Sequence, residues 1–237
     1  MSEWKAKRFW TDVSVEAVEG GYRILLDART LSTPGKLPLV VPTRALAEAL
    51  ASEWAAQEDV IKPLEMPVTR SANSAVERVA AQHGAVADML AAYGETDLLC
   101  YRAEGPEELT QRQAVAWDPL LDWTAERYGA RLKVGAGIVP VAQDADAIAA
   151  LRRAVHDVAP FPMTALHDLI TLTGSLVLGF AVFENRLSAA EAWDLSRIDE
   201  DWQIAQWGED DEATAAAAAK AAQLAHAESF LRLTFAN

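Results

Sequence analysis

The sequence has few of the features that mark secreted or nucleic-acid-binding proteins. Its single cysteine, Cys100, cannot form an intramolecular disulfide. Neither a signal peptide nor an Arg-rich transit segment is recognisable. Lys and Arg number 21 against 35 Asp and Glu, and the formal net charge of -14 disfavours phosphate backbones and anionic lipid surfaces as partners. We therefore expect a soluble protein of a reducing compartment that binds no nucleic acid.

No apolar run is long enough to cross a membrane. The longest, Leu169 to Phe183, has about 15 residues, whereas a spanning helix needs about 20. The run is apolar on nearly every side, which predicts a buried central helix surrounded by others. Gly174 and Gly179 are interpreted as positions where neighbouring backbones come close. We expect no stable membrane insertion.

Signatures of catalytic and metal sites are also lacking. The four histidines have none of the spacings that build a zinc site. They are His83, His156, His167 and His226. No phosphate-binding loop or nucleophile elbow occurs, and Gly135-Ala136-Gly137 lacks the third glycine of a dinucleotide-binding turn. The acidic run 209–212 lacks the ligand spacing of a calcium loop and is expected to begin the last helix. We therefore expect no enzyme activity, no cofactor and no metal.

The first 65 residues have the alternation typical of a small antiparallel sheet. Residues 13–18 and 22–27 flank the turn residues Glu19-Gly20-Gly21, which predicts a β-hairpin. Leu37 to Val41 is expected to add a third strand. Thr43 is expected to cap the following helix. The apolar stripe of that helix comprises Leu46, Leu50 and Trp54. These patterns predict an N-terminal β-rich domain over residues 1–65 with one helix.

Helical periodicity dominates after Pro67. It predicts a larger, mainly α-helical domain over residues 66–237, so the fold class is α+β. Helices are expected at residues 67–80, 84–93, 107–128, 144–157, 163–184, 188–207 and 211–234, with extended pieces at 97–102 and 131–141. Ser188 and Glu191 predict a capping box, and Gly129 and Gly208 are expected to end their helices.

The segment from Trp193 to Gly208 combines acidic residues with three tryptophans. If 188–207 is one helix, a rotation of about 100° per residue places five residues on one side. They are Trp193, Arg197, Glu200, Ile204 and Trp207. Glu200 then lies between two tryptophans, whereas Asp199 and Asp201 point towards water. A carboxylate among aromatic rings needs a partner, so Glu200, Trp193, Arg197 and Trp207 are interpreted as partner-binding. The alternative is a structural Arg197–Glu200 ion pair.

Six short sequence segments occur in order along almost the whole chain. Together they resemble the assembly chaperones that escort the α subunit of the catalytic sector of F-type ATP synthase. They are Lys7-Arg8-Phe9-Trp10, the pair 24–27 and 31–34, the pair 53–57 and 61–63, residues 96–102, Trp117-Asp118-Pro119-Leu120, and residues 196–208. The resemblance implies a protein that binds the unassembled α subunit and shields it until the β subunit takes over. It also implies a β-rich N-terminal domain followed by a larger helical one.

The same resemblance bears on individual residues. Glu200 matches an acidic residue of the family's C-terminal helix that is associated with chaperone function. Trp54 matches another residue of importance, but a tryptophan on an apolar helical stripe is more often part of the core. Trp54 is therefore interpreted as structural or partner-binding, with its loss acting through folding.

The sequence also bears on the compartment of the protein and leaves two alternative functions open. A chain that starts near Lys7 without a presequence fits a monomeric protein of the bacterial cytoplasm, and a trimmed form from the mitochondrial matrix would look the same. One alternative is an acidic scaffold for a different client. A second is an enzyme that uses Glu200 with Asp97 or Asp118 as an acid–base pair, although no nucleophile or cofactor motif accompanies them.

Overall fold

The structure is a computed structural model that describes residues 7–236. The chain forms two compact units, each built from more than one stretch. The first comprises the described residues through His83, residues 160–165 and those from Ser229 onward, and the second comprises residues 84–159 and 166–228. The division at residue 65 predicted from the sequence rests on secondary-structure composition, and it stays a prediction.

A small antiparallel sheet forms the start of the first unit. Strands β1 (Val13–Val18) and β2 (Gly21–Leu26) make the predicted hairpin, with Val13 opposite Leu26 and Val18 opposite Gly21. Two short strands, β3 (Arg29–Thr30) and β4 (Val40–Val41), also pair with β2. The expected third strand over 37–41 is thus shorter than predicted, because Pro38 has no amide hydrogen for a ladder. Pro38 instead makes an isolated bridge with Ser32.

Helix α1 (Arg44–Ala55) lies on this sheet, as predicted. The side chain of Thr43 accepts the amide hydrogen of Leu46, and Leu46 and Leu50 are fully buried. Helix α2 (Pro67–Ser74) continues into one π-helical turn over Ala75–Val79. Glu53 of α1 accepts the amide hydrogens of Val68 and Thr69, which satisfies free donors at the start of α2.

Helices make up most of the chain after residue 83. They are α3 (His83–Ala91), α4 (Glu107–Tyr128), α5 (Ala145–His156), α6 (Pro160–Thr173), α7 (Leu176–Phe183), α8 (Ala189–Ser196), α9 (Ile198–Trp207) and α10 (Asp211–Phe235). In the predicted extended pieces, only β5 (Tyr101–Arg102) and β6 (Gly135–Ala136) are strands, and they pair in parallel. The α+β fold class is confirmed. Within residues 7–236, no helix is long and apolar enough to cross a membrane.

The predicted single helix over 163–184 is wrong, because the helix is interrupted after Thr173. Gly174 adopts the left-handed conformation (φ 69°) and ends α6, and the Ser175 side chain caps α7. Gly174 is therefore a helix end, and a side chain there would meet no atom within 4 Å. Gly179 is the position of close approach: a Cβ there would lie 2.4 Å from Cγ1 of Ile170. All residues from Leu176 to Val182 are buried, which confirms the central apolar helix.

Candidate functional site

The acidic tryptophan-containing segment is two helices rather than one. Ser188 and Glu191 form the predicted capping box at the start of α8, and Gly208 follows α9 as expected. Between them Arg197 leaves the helical conformation (φ −113°, ψ 14°), so α8 ends at Ser196 and α9 begins at Ile198. The expected continuous helix over 188–207 is therefore wrong. A helical wheel drawn through Arg197 does not describe the surface.

Arg197 joins the two helices through its side chain. Its guanidinium lies 5.3 Å from the ring centroid of Trp193 on α8, and its Nε is 3.6 Å from a carboxylate oxygen of Asp201 on α9. Glu200 forms no ion pair with Arg197 within the described residues, so the alternative of a structural Arg197–Glu200 pair is wrong. Trp193 and Arg197 are half-buried at the junction.

Glu200 and Trp207 occupy the outer surface of α9. Glu200 is exposed and makes no ion pair within residues 7–236. Trp207 is 80% exposed. The two residues are seven positions apart, almost two full turns, so they lie on the same side of α9. The structure thus keeps the predicted pairing of Glu200 with Trp207, whereas Trp193 belongs to the preceding helix.

Two buried side chains of α4 hold the α8–α9 junction. The indole Nε1 of Trp117 donates to the Leu195 carbonyl at 2.9 Å, and the Gln113 amide donates to the Asp199 carboxylate. Gln113 also accepts the amide hydrogen of Ala103 at 2.9 Å. Asp199 therefore has a structural partner, and its expected role as a water-facing flank residue is wrong. Gln113 was not predicted as a site residue, and its only sequence signal is its place on the buried side of α4.

Asp118 also has a structural partner. Arg102 donates to Asp118 at 2.7 Å and lies 5.2 Å from the ring centroid of Trp117. Arg102 is largely buried, so this ion pair fixes β5 against α4. Residues 96–102 and 117–120, two of the segments that carry the family resemblance, therefore contact each other in one cluster.

Asp97 lies in a fully buried position. Its carboxylate accepts from the Ser175 hydroxyl at 2.7 Å and from the amides of Leu99 and Val177 at 3.0 Å. Burial raises the pKa of Asp97 to about 6, although these hydrogen bonds oppose the shift. Val177 is in the first turn of α7, so Asp97 caps that helix. This use of Asp97, and that of Asp118, argues against an acid–base pair with Glu200.

Neither the single cysteine nor the potential metal ligands form a reactive site in the described residues. Burial raises the pKa of the Cys100 thiol to about 12, so the thiol stays protonated and unreactive at neutral pH. Within residues 7–236, no three His, Cys, Asp or Glu side chains are grouped as a metal site.

Trp54 belongs to the first unit. Its ring is half-buried and lies 5.2 Å, centroid to centroid, from the buried ring of Trp10. The Nε1 atom of Trp54 is buried and has no hydrogen-bond acceptor among residues 7–236. Arg8 lies against Trp10 and donates to the carbonyls of Ala55 and Gln57 at the end of α1. The segment Lys7-Arg8-Phe9-Trp10 thus stabilises the end of α1, the helix that carries Trp54.

The chain is also similar to known proteins, both in sequence and in fold. The sequence model of the ATP12 chaperone protein family matches residues 7–125. The crystal structure of Atp12 from Paracoccus denitrificans has 53% sequence identity and a TM-score of 0.95, over 98% of this chain and all of that one. An aspartate-to-lysine mutant of that protein has 53% identity and a TM-score of 0.96 over the same shares of the two chains. The mitochondrial protein atp12 of Schizosaccharomyces pombe is 22% identical over 214 residues, or 85% of this chain and 74% of that protein.

Proposed function

Since the chain belongs to the ATP12 chaperone family and is a chaperone of ATP synthase assembly, we propose that its client is the unassembled α subunit. The chain binds this subunit and shields the surface that later contacts the β subunit. The family likeness, which extends over nearly the whole chain at 53% identity to the Paracoccus denitrificans protein, supports this assignment.

The exposed side of α9 is the surface that we assign to the client. The observation that carries this assignment is that Glu200, a carboxylate with no ion pair among the described residues, lies on the same side of α9 as the largely exposed ring of Trp207. A large aromatic side chain in water is costly, and tryptophan is enriched among residues that dominate binding energy. A carboxylate beside it favours a basic group on the client and repels acidic surfaces.

Trp193 and Arg197 act at the same surface by orienting it. The guanidinium of Arg197 contacts the Trp193 ring and Asp201 together, so it fixes the direction in which α9 leaves α8. Trp54 is assigned a structural role. Its indole N–H is buried, so a client carbonyl cannot reach this donor without rearrangement of the first unit.

We propose two further properties of the chain, its lack of catalytic activity and its compartment. We assign no catalytic activity, because Asp97, Asp118 and Cys100 all have structural surroundings. We place the chain, as a monomer, in the bacterial cytoplasm. The 53% identity to a bacterial Atp12 supports that compartment over the mitochondrial matrix, since the mitochondrial relative is 22% identical.

Glu200→Lys tests the assignment of the α9 surface. The variant is expected to fold, because Glu200 is exposed and has no ion pair to lose within the described residues. The loss of an acidic group from the first turn of a helix costs about 0.3–1 kcal/mol. Chaperone function should fall sharply, because the reversed charge repels the basic group of the client.

The matched control is Glu212→Lys, which reverses an exposed acidic residue in the first turn of α10. Each variant is co-expressed with the α subunit, and the soluble fraction of α subunit and the melting temperature of the variant are measured. We expect Glu200→Lys to lose soluble α subunit and Glu212→Lys to retain it, at similar melting temperatures. Equal protection by both variants would show that Glu200 is not part of the client surface.

A further inference from the structure

An open groove lies in the second unit where α4 faces the α8–α9 junction. Its apolar lining comprises Val115 and Ala116 of α4, Leu195 of α8 and Ile198 of α9. Two carboxylates, Glu108 and Asp194, and one guanidinium, Arg112, also line it. None of these three charged groups forms an ion pair within the described part of the chain. The groove therefore combines apolar side chains with charged groups that make no ion pair among residues 7–236.

Val115 is an aliphatic residue on the outer side of α4. It is 80% exposed, and it lies among the polar residues Gln111, Arg112 and Asp118 on that side of α4. Pro119 follows four residues later inside the same helix and has no amide hydrogen. The carbonyl of Val115 therefore lacks its helical donor. Val115 therefore brings an exposed aliphatic side chain to the groove.

The walls of the groove are held in place before any client binds. The hydrogen bond from Trp117 to the Leu195 carbonyl fixes α8, and the one from Gln113 to Asp199 fixes the start of α9. Both donor side chains are buried, at 1% and 0% exposure respectively. A pre-organised surface loses little conformational entropy when it binds, which favours a specific site.

Charge decides what kind of segment fits the groove. The two carboxylates that line it outnumber the single guanidinium, and the exposed carboxylate of Glu200 lies two residues beyond Ile198 on α9. We infer that the groove binds a segment of the unassembled α subunit that presents aliphatic side chains flanked by lysine or arginine. This inference rests on the proposed function and adds Val115 and Leu195 to the client surface, with the buried side chain of Ile198 beneath them.

Val115→Asn tests the inference, because asparagine is polar and has a helix propensity close to that of valine. Val115→Ala is the second variant, and Ile138→Asn is the control, since Ile138 is 96% exposed in the same unit but does not line the groove. Capture of newly synthesised α subunit by increasing concentrations of each purified variant gives an apparent Kd. We expect Val115→Asn to weaken binding about tenfold, the effect of losing one buried valine side chain, and Ile138→Asn to bind like the parent.

Three results are distinguishable. A weaker Val115→Asn at unchanged melting temperature supports the groove, and Val115→Ala should weaken binding in the same direction. Parent-like binding by both Val115 variants would overturn the groove while leaving the proposed function intact. If the parent chain itself captures no α subunit, the proposed function fails, and the inference fails with it.

Discussion

Replacement of Gly179 by alanine tests the packing of the central apolar helix. The added Cβ would lie 2.4 Å from Cγ1 of Ile170 and 3.4 Å from its backbone nitrogen. Ile170 is fully buried, so its side chain has little space into which to move. Overpacking of this kind costs about 1–3 kcal/mol. Alanine in a helix recovers about 0.5–1 kcal/mol relative to glycine, so we expect a net loss of up to about 2.5 kcal/mol in the free energy of unfolding.

Gly84→Ala is the matched control, because Gly84 is also helical and a Cβ there would meet no atom within 4 Å. It should raise stability by about 0.5–1 kcal/mol. Urea denaturation followed by circular dichroism at pH 7 measures both variants. The double variant Gly179→Ala with Ile170→Ala should be about 1–3 kcal/mol more stable than the sum of the single effects predicts, because the clash is removed. Equal effects at Gly179 and Gly84 would refute the close approach.

Two further predictions concern Trp54 and Asp97. Trp54→Ala should lower the free energy of unfolding by roughly 2–3 kcal/mol, less than the roughly 3–5 kcal/mol of a fully buried tryptophan. Trp54→Phe should lower it by about 1 kcal/mol or less, because the indole N–H has no acceptor in the part of the chain that the structure describes. Loss of client binding by a fully stable Trp54→Ala would contradict the structural role. Because burial raises the folded-state pKa of Asp97 to about 6 from 3.8, the folded chain keeps a proton between these values that the unfolded chain has released. The stability contributed by Asp97 is thus fully present only below about pH 4 and is lost as the pH rises through 6. From pH 4 to pH 7 the free energy of unfolding of the parent should therefore fall by about 2 kcal/mol relative to that of Asp97→Asn; a constant difference would contradict the shifted pKa.

Local sequence signals predicted those elements whose ends are fixed by nearby residues. The β-hairpin, the Thr43 cap, helix α4 and the Ser188–Glu191 capping box all depend on residues a few positions apart, and all were confirmed. The two predicted helices that turned out to be broken share a different cause. Periodicity continues across Gly174 and Arg197, so the pattern alone does not reveal a single residue that leaves the helical conformation.

The candidate site was only partly predictable for a related reason. Glu200 and Trp207 are on one helix, so their common side follows from spacing. The partners that anchor the junction, Gln113 for Asp199 and Trp117 for Leu195, lie 86 and 78 residues away in the chain. No periodic pattern encodes contacts over such distances. The family resemblance located the segment, whereas the structure assigned separate tasks to the side chains within it.

The most direct test of the central claim is the handover of the α subunit. The chain is co-expressed with the α subunit, the complex is isolated by size-exclusion chromatography, and purified β subunit is then added. We predict that the chain keeps the α subunit soluble as a one-to-one complex and is released when the β subunit binds. A parallel expression with an unrelated aggregation-prone protein separates this function from that of a general acidic scaffold. An α subunit that aggregates equally with and without the chain, or a chain that stays bound after the β subunit is added, would contradict the account.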